Sequence, residues 1–314
     1  MAAWLMAIAG LVLLVVAGDL LVRGAVNLAL RLGVPALIVS LTIIAFGTSA
    51  PELLISISAV LENQPGLALG NVVGSNVANI LLVLGIPAMM AGLQTGDHDV
   101  KQSYLTMLGA SAIFVLLAFR GSFDLISGLV LLAMLAAILF GQARDALSHR
   151  RADRAAEELP EGANPGMRWL WIVLFLVLGL IGLPIGADLL VNGASEIARR
   201  AGVSDTVIGL TLVAIGTSLP ELATTVIAAI RRQADVALGN VIGSNMFNLL
   251  GIIGITALVG PLPVDASLLR FDLWVMLGAS LVLIPFVFMH RNITRLAGVG
   301  LTALYAVYVG MVLY

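Results

Sequence analysis

Two short stretches, GTSAPE at 47–52 and GTSLPE at 216–221, set a threonine, a serine, a proline and a glutamate inside long apolar runs. Thr48 and Glu52 are four residues apart and share a helix face, with Ser49 about 100° round it, and Thr217, Glu221 and Ser218 repeat the set. Proline has no N–H, so inside a helix Pro51 leaves the carbonyl of Gly47 without its usual partner, and Pro220 does the same for Gly216. At membrane depth a freed carbonyl must face protein, water or an ion. Carboxylate, hydroxyl and carbonyl oxygens are the ligands of a hard cation such as Ca²⁺, which takes roughly six to eight of them in flexible geometry.

The next helix in each case adds a polar stripe. Asn71, Ser75 and Asn79 fall at i, i+4 and i+8 beside Gly70 and Gly74, whose spacing permits close helix packing, and Asn240, Ser244 and Asn248 repeat the pattern beside Gly239 and Gly243. Asn76 and Asn245 are readable either as braces between helices or as further ligands. Counter-charge is missing: no Lys or Arg lies between 34 and 98, and between 203 and 269 only Arg231 and Arg232 do, at a helix end. An ionised carboxylate at mid-depth costs about 2.5–3.5 kcal/mol even on lenient insertion scales. If Glu52 and Glu221 meet, they must take up protons or be neutralised by a mobile cation, and two charges facing one cavity suit a divalent ion. There is no cysteine, and His98, His149 and His290 lie near helix ends, which argues against a softer metal held by S or N ligands.

The elements that carry these residues are membrane helices. The chain is 60% hydrophobic and 11% charged with a mean hydropathy of +1.09, outside the range of soluble domains. Apolar stretches of spanning length lie near 2–30, 34–61, 66–92, 102–119 and 124–145, then near 169–198, 203–230, 236–260, 271–290 and 296–314. The opening MAAWLMAIAGLVLLVVAG has no basic segment or small-residue cleavage pattern, so it reads as the first spanning helix and not as a removable leader.

An offset of 169 aligns AGDLLVRGA (17–25) with GADLLVNGA (186–194), the two glutamate motifs, and LGNVVGSNVANIL (69–81) with LGNVIGSNMFNLL (238–250). The expected architecture is all-α: a first five-helix repeat at 1–141, a polar linker at 142–168, and a second five-helix repeat at 169–314. An odd number of spans per repeat forces the second to enter the membrane from the other side, so the repeats are inverted, with sites expected at their interface near mid-membrane. Twelve of the sixteen Lys and Arg residues fall in loops on the linker side, which places the linker in the cytoplasm and both termini outside.

The doubled GTSAPE…GNVVGSNVAN and GTSLPE…GNVIGSNMFN resemble the α-repeats of the sodium/calcium exchanger branch of the cation/calcium exchanger superfamily, over nearly the whole chain. The resemblance implies ten transmembrane helices in two inverted halves and Ca²⁺ extrusion driven by Na⁺ entry. It implies that Glu52, Glu221, Thr48 and Thr217 form the Ca²⁺ site. The carbonyls of Ala45 and Ala214, with Ser49, Ser75, Ser218 and Ser244, would serve flanking Na⁺ sites, and Asn79 and Asn248 would line the middle site. Some relatives carry Asp where Asn248 stands, and in potassium-dependent members an acid there is associated with K⁺, so K⁺ coupling is not expected. The short linker lacks the large regulatory domain of animal exchangers.

The expected activity is therefore Na⁺/Ca²⁺ antiport by alternating access, in a bacterial or archaeal inner membrane, with Ca²⁺ and Na⁺ as transported ions and no cofactor. The chain's partners are ions and lipid, without nucleic acid or an obligate protein partner. A proton/Ca²⁺ antiporter using the same glutamates and a passive cation channel are the rivals; the absence of G-x-S-x-G and of a mid-membrane His argues against an intramembrane protease. Helices 1 and 6, long and Gly-rich, are candidates for the moving gate, and Asp19 and Asp188 within them read as hydrated or structural.

Overall fold

The computed structural model describes residues 2–95, 100–149, 164–202, 214–289 and 291–313. Most of the linker, the first part of the span expected at 203–230, and His98 and His290 lie outside the described residues. The helices are α1 (Ala2–Leu32), α2 (Ala36–Thr48), α3 (Ala50–Leu61), α4 (Pro65–Ala91), α5 (Lys101–Ala118), α6 (Leu125–His149), α7 (Trp169–Arg200), α8 (Leu219–Ile230), α9 (Ala234–Val259), α10 (Leu268–Phe288) and α11 (Arg295–Leu313). Counting the bent pair α2–α3 as one, nine spans among the described residues are long and apolar enough to cross a membrane. α6 runs on to His149, past the boundary expected at 141, because QARDAL is built of residues with no helix-breaking Gly or Pro after Gly141.

Burial sorts the helices into two layers. In α4 and α9 the most apolar windows are 83% and 89% buried, whereas the other long spans are 17–39% buried and turn Leu, Ile, Val and Phe outward, as lipid-facing helices do. The two innermost helices are therefore the pair that carries the Asn–Ser–Asn stripes.

The inversion of the repeats shows in how equivalent elements meet. α1 and α7 cross antiparallel in close contact: Gly193 lies against Ala3 and Ala7, Gly186 against Gly10 and Leu14, and Gly179 against Ala17 and Leu21. Small residues let the backbones approach where dispersion, not the hydrophobic effect, holds helices together. Gly85 packs on Gly298 and Thr302, and the corresponding Gly254 packs on Gly128 and Leu132. Each end of the molecule also carries one short antiparallel pairing: Leu93 with Ile293 at one, Ser122–Phe123 (β1) with Leu262–Pro263 (β2) at the other. The end of the linker meets the C-terminal end of α1, where the Asn164 N–H donates to Asn27 Oδ1 (2.7 Å) and Arg31 lies 5.7 Å over Trp169.

A Cβ added at Gly10 would stand 2.4 Å from the backbone nitrogen of Leu190 and 2.7 Å from the carbonyl of Gly186, atoms that no rotamer change can move. Gly10→Val is expected to lower thermal stability in detergent by about 1–3 kcal/mol, the cost of overpacking. Gly109→Ala, where nothing lies within 4 Å, serves as the unaffected control in the same size-exclusion thermostability assay.

Candidate ion-binding site

The sequence led us to expect Pro51 inside a continuing helix; in the structure the helix stops instead. α2 ends at Thr48, Ser49 (φ −85°, ψ 5°) belongs to neither helix, and the axis turns by 42° before α3 begins. Proline's fixed φ and missing N–H suit the first turn of a helix, so the residue that would break α2 starts α3. Ser218 (φ −86°, ψ 4°) and Pro220 repeat the arrangement at the start of α8. Glu52 and Glu221 consequently sit in first turns, where unsatisfied N–H groups give a partial positive charge. Both are 1% exposed.

Glu221 is reached from both repeats, but at one oxygen only: its Oε2 is buried without a partner. Ser49 from the other repeat donates to Glu221 Oε1 (3.1 Å), and Ser244 reaches the same oxygen at 3.5 Å. Thr48 donates to Asn240 Oδ1 (3.3 Å) and lies 3.5 Å from Ser244 Oγ. Asn240 in turn donates to the Glu221 carbonyl (3.2 Å) and to Thr225 (3.1 Å), while Thr225 donates to the same carbonyl (2.7 Å). Thr48, Ser49, Glu221 and Ser244, named separately from the sequence, form one cluster across the repeat boundary.

The mirror-related half shares the scaffold and lacks the closing bonds. Asn71 donates to the Glu52 carbonyl and to Ser56, both at 3.4 Å, matching Asn240 with Glu221 and Thr225. Ser218, the counterpart of Ser49, has no partner for its buried hydroxyl, and Glu52 Oε2 has none either. Among the described residues no bond joins Ser75 to Glu52, although Ser244 reaches Glu221. Thr217 is half-buried and lines a cavity of about 170 Å³ with Pro51, Pro184, Ala187, Asp188, Val191, Gly216 and Pro220.

Further along α4 and α9, both helices widen into π turns, at Asn79–Val83 and Phe247–Ile252, a distortion common at functional sites. Asn79 donates across the repeats to Asn245 Oδ1 (3.0 Å), and Asn245 to the Asn76 carbonyl (3.5 Å). Asn248 does not make the mirrored bond to Asn76 Oδ1, so that oxygen and both polar atoms of the Asn248 amide are buried without partners, as is Asn79 Oδ1. The carbonyl of Ala45 accepts from the Ser49 N–H (3.1 Å) and from Thr48 (3.3 Å). Ala214 begins a short helical turn, Ala214–Gly216.

No ion pair among the described residues involves Glu52 or Glu221. Nor do three His, Asp or Glu side chains converge among the described residues: the site holds two carboxylates in a setting of neutral oxygens. That charge balances one divalent or two monovalent cations. Sequence reasoning had not singled out Ser56 and Thr225, which brace the two asparagines; their offset of 169 from each other and their place four residues after each glutamate were the available signal. It also missed that Asp19 bonds Arg231.

Comparison with known proteins agrees with this geometry. The model of the sodium/calcium exchanger protein family matches residues 2–144 and 171–314. The chain is 37% identical to the putative antiporter CaxA of Alkalimonas amylolytica, over 88% of this chain and 86% of that one. It is 33% identical to the sodium/calcium exchanger MaX1 of Methanosarcina acetivorans, over 99% and 98%. A structure of the sodium-calcium exchanger NCX_Mj, soaked without Na⁺ and Ca²⁺, superposes with a TM-score of 0.85 at 31% identity, covering 98% of each chain. The chain is a multi-pass membrane protein of two inverted repeats and belongs to the sodium/calcium exchanger family.

Proposed function

We propose that this protein is an electrogenic antiporter in which Na⁺ and Ca²⁺ compete for Glu52 and Glu221, and that the site is exposed alternately to the two faces of the membrane. The observation that carries this reading is the pair of buried carboxylates, one from each repeat, with no ion pair to either among the described residues. Glu52, Glu221, Thr48 and Thr217 would hold Ca²⁺. Ser49, Ser75, Ser218 and Ser244, with the carbonyls of Ala45 and Ala214, would take Na⁺, and Asn79 and Asn248 would line the space between. An empty site carries uncompensated charge in a poor dielectric, which raises the barrier to switching sides and couples the two fluxes.

The repeats at 1–141 and 169–314, joined by the 142–168 linker, would face each other across the site, with α1 and α7 as the moving gate. The Lys and Arg bias supports a cytoplasmic linker with both termini outside the cell membrane. One observation favours a second reading: the Oε2 of Glu52 and of Glu221 is buried without a donor, a setting that a proton would also relieve, as in a proton/Ca²⁺ antiporter.

Flux of ⁴⁵Ca²⁺ into proteoliposomes separates them. Uptake is expected to require an opposing Na⁺ gradient and to persist when K⁺ is omitted and the pH gradient collapsed; uptake that survives without Na⁺ and fails with the pH gradient would establish the proton reading. Glu52→Gln and Glu221→Gln should each reduce Na⁺-driven flux to the level of empty liposomes, since one remaining charge cannot balance a divalent ion. Ser49→Ala should raise the Na⁺ concentration needed for half-maximal exchange about tenfold, for a charge-assisted bond of about 1.5 kcal/mol, and shift the Ca²⁺ dependence less.

A further inference from the structure

The 169-residue offset fails at one pair of positions in a way that matters for the conformational cycle. α1 packs on α8, with Gly18 against the carbonyl of Ala223 and the side chain of Ile227. Just beyond, Asp19 is bonded by Arg231 at the end of α8 and by Arg23 (2.9 Å). This ion pair ties α1 to the second repeat; its side chains are only 26% and 18% exposed, which favours it over a fully solvated pair.

The counterparts of Asp19, Arg23 and Arg231 are Asp188, Asn192 and Glu62. The backbone at the last pair is the same in both repeats. Glu62 (φ −87°, ψ 10°) and Arg231 (φ −84°, ψ 7°) close their helices identically, and Asn63 (φ 60°) and Arg232 (φ 54°) follow in the left-handed region. The Glu62 N–H donates to Ser58 and the Arg231 N–H to Ile227, both at 2.9 Å. An acid thus occupies the position of the base. Asp188 and Glu62 are exposed, and the side chain of neither makes an ion pair or a hydrogen bond among the described residues. α7 makes no packing against α3 like that of α1 on α8; Asp188 instead lines the cavity beside Thr217 and Pro220.

In an inverted-repeat carrier the opposite state is reached when the two halves exchange conformations. α7 would then rest on α3 as α1 now rests on α8, bringing Asp188 to Glu62 as Asp19 is now brought to Arg231. One closure makes a salt bridge, and the other brings two carboxylates together. We propose that these charges set the carrier's resting direction: Asp19–Arg231 holds the face at the end of α8 shut, and repulsion between Asp188 and Glu62 holds the other face open until a cation screens it. This bias rests on the alternating-access reading above, yet it is read out by accessibility and not by flux.

The chain contains no cysteine, so a single reporter suffices. Val191→Cys lies on the cavity wall, outside the ion-ligand set. In cation-free proteoliposomes, Glu62→Arg should slow labelling of that cysteine by a membrane-impermeant maleimide about two- to fivefold, the shift expected of an exposed ion pair. Adding Asp188→Asn should remove the effect of Glu62→Arg, giving coupling between residues that are not bonded in this structure. Arg231→Glu should slow labelling as well, by releasing the opposite latch. Labelling that ignores Glu62→Arg, or a Glu62→Arg effect unchanged by Asp188→Asn, would overturn the proposal. Wild-type protein without Na⁺-driven Ca²⁺ flux would instead overturn the transport reading.

Discussion

Two buried carboxylates, one from each repeat, with no ion pair to either among the described residues, are the constraint on which the rest of this structure depends. An acid at mid-membrane costs about 2.5–3.5 kcal/mol, and a hydrogen bond to a charged group recovers about 1.5–3. Ser49 and Ser244 therefore offset part of the burial of Glu221, at its Oε1. Among the described residues no serine bond of this kind is made to Glu52, and the Oε2 of both glutamates is buried without a donor. The first-turn N–H groups of α3 and α8 contribute only a partial charge each. What remains is an electrostatic deficit that two positive charges would cancel, and the ions named for this family can supply them.

The architecture makes that deficit possible by satisfying everything else. Prolines at the starts of α3 and α8 convert would-be continuous helices into broken ones, so the chain turns at Ser49 and Ser218 and delivers hydroxyls and carbonyls to one place. Asn71 and Asn240 pin the backbones of the two glutamates from the neighbouring helices, with Ser56 and Thr225 holding the asparagines in turn. The glycine-lined contact between α1 and α7 joins the repeats on their outer side. Rigid inner helices with a separately packed outer pair give an arrangement in which one body can move against another around a fixed site.

Much of this was legible in the sequence, because the doubled motif states its own symmetry. Glu52, Glu221, Thr48, Ser49 and Ser244 were marked by residue type, spacing and the absence of Lys and Arg, and the structure brings the last four into contact across the repeats. The position of the helix break was not legible: a proline inside an apolar run is compatible with a kinked helix or a new one, and here the local turn at Ser49 decided. Repetition also concealed the inequality of the halves. By offset alone Ser49 and Ser218, or Asn79 and Asn248, are equivalent, yet Ser49 and Asn79 bond across the repeats while Ser218 and Asn248 do not. That difference belongs to the conformation, in which one half closes around its glutamate more tightly than the other, and pattern in a sequence does not encode which of two packings is occupied. Asp19 with Arg231 was missed for a similar reason, since the partners are remote in the chain.

The claim that mobile cations alone neutralise the two glutamates is tested most directly by equilibrium Ca²⁺ binding to the purified protein across a series of Na⁺ concentrations. The account predicts saturable binding of one Ca²⁺ per chain, displaced competitively and completely as Na⁺ rises. Ca²⁺ binding that Na⁺ leaves untouched would contradict it, as would a protein that binds neither ion with both acids intact.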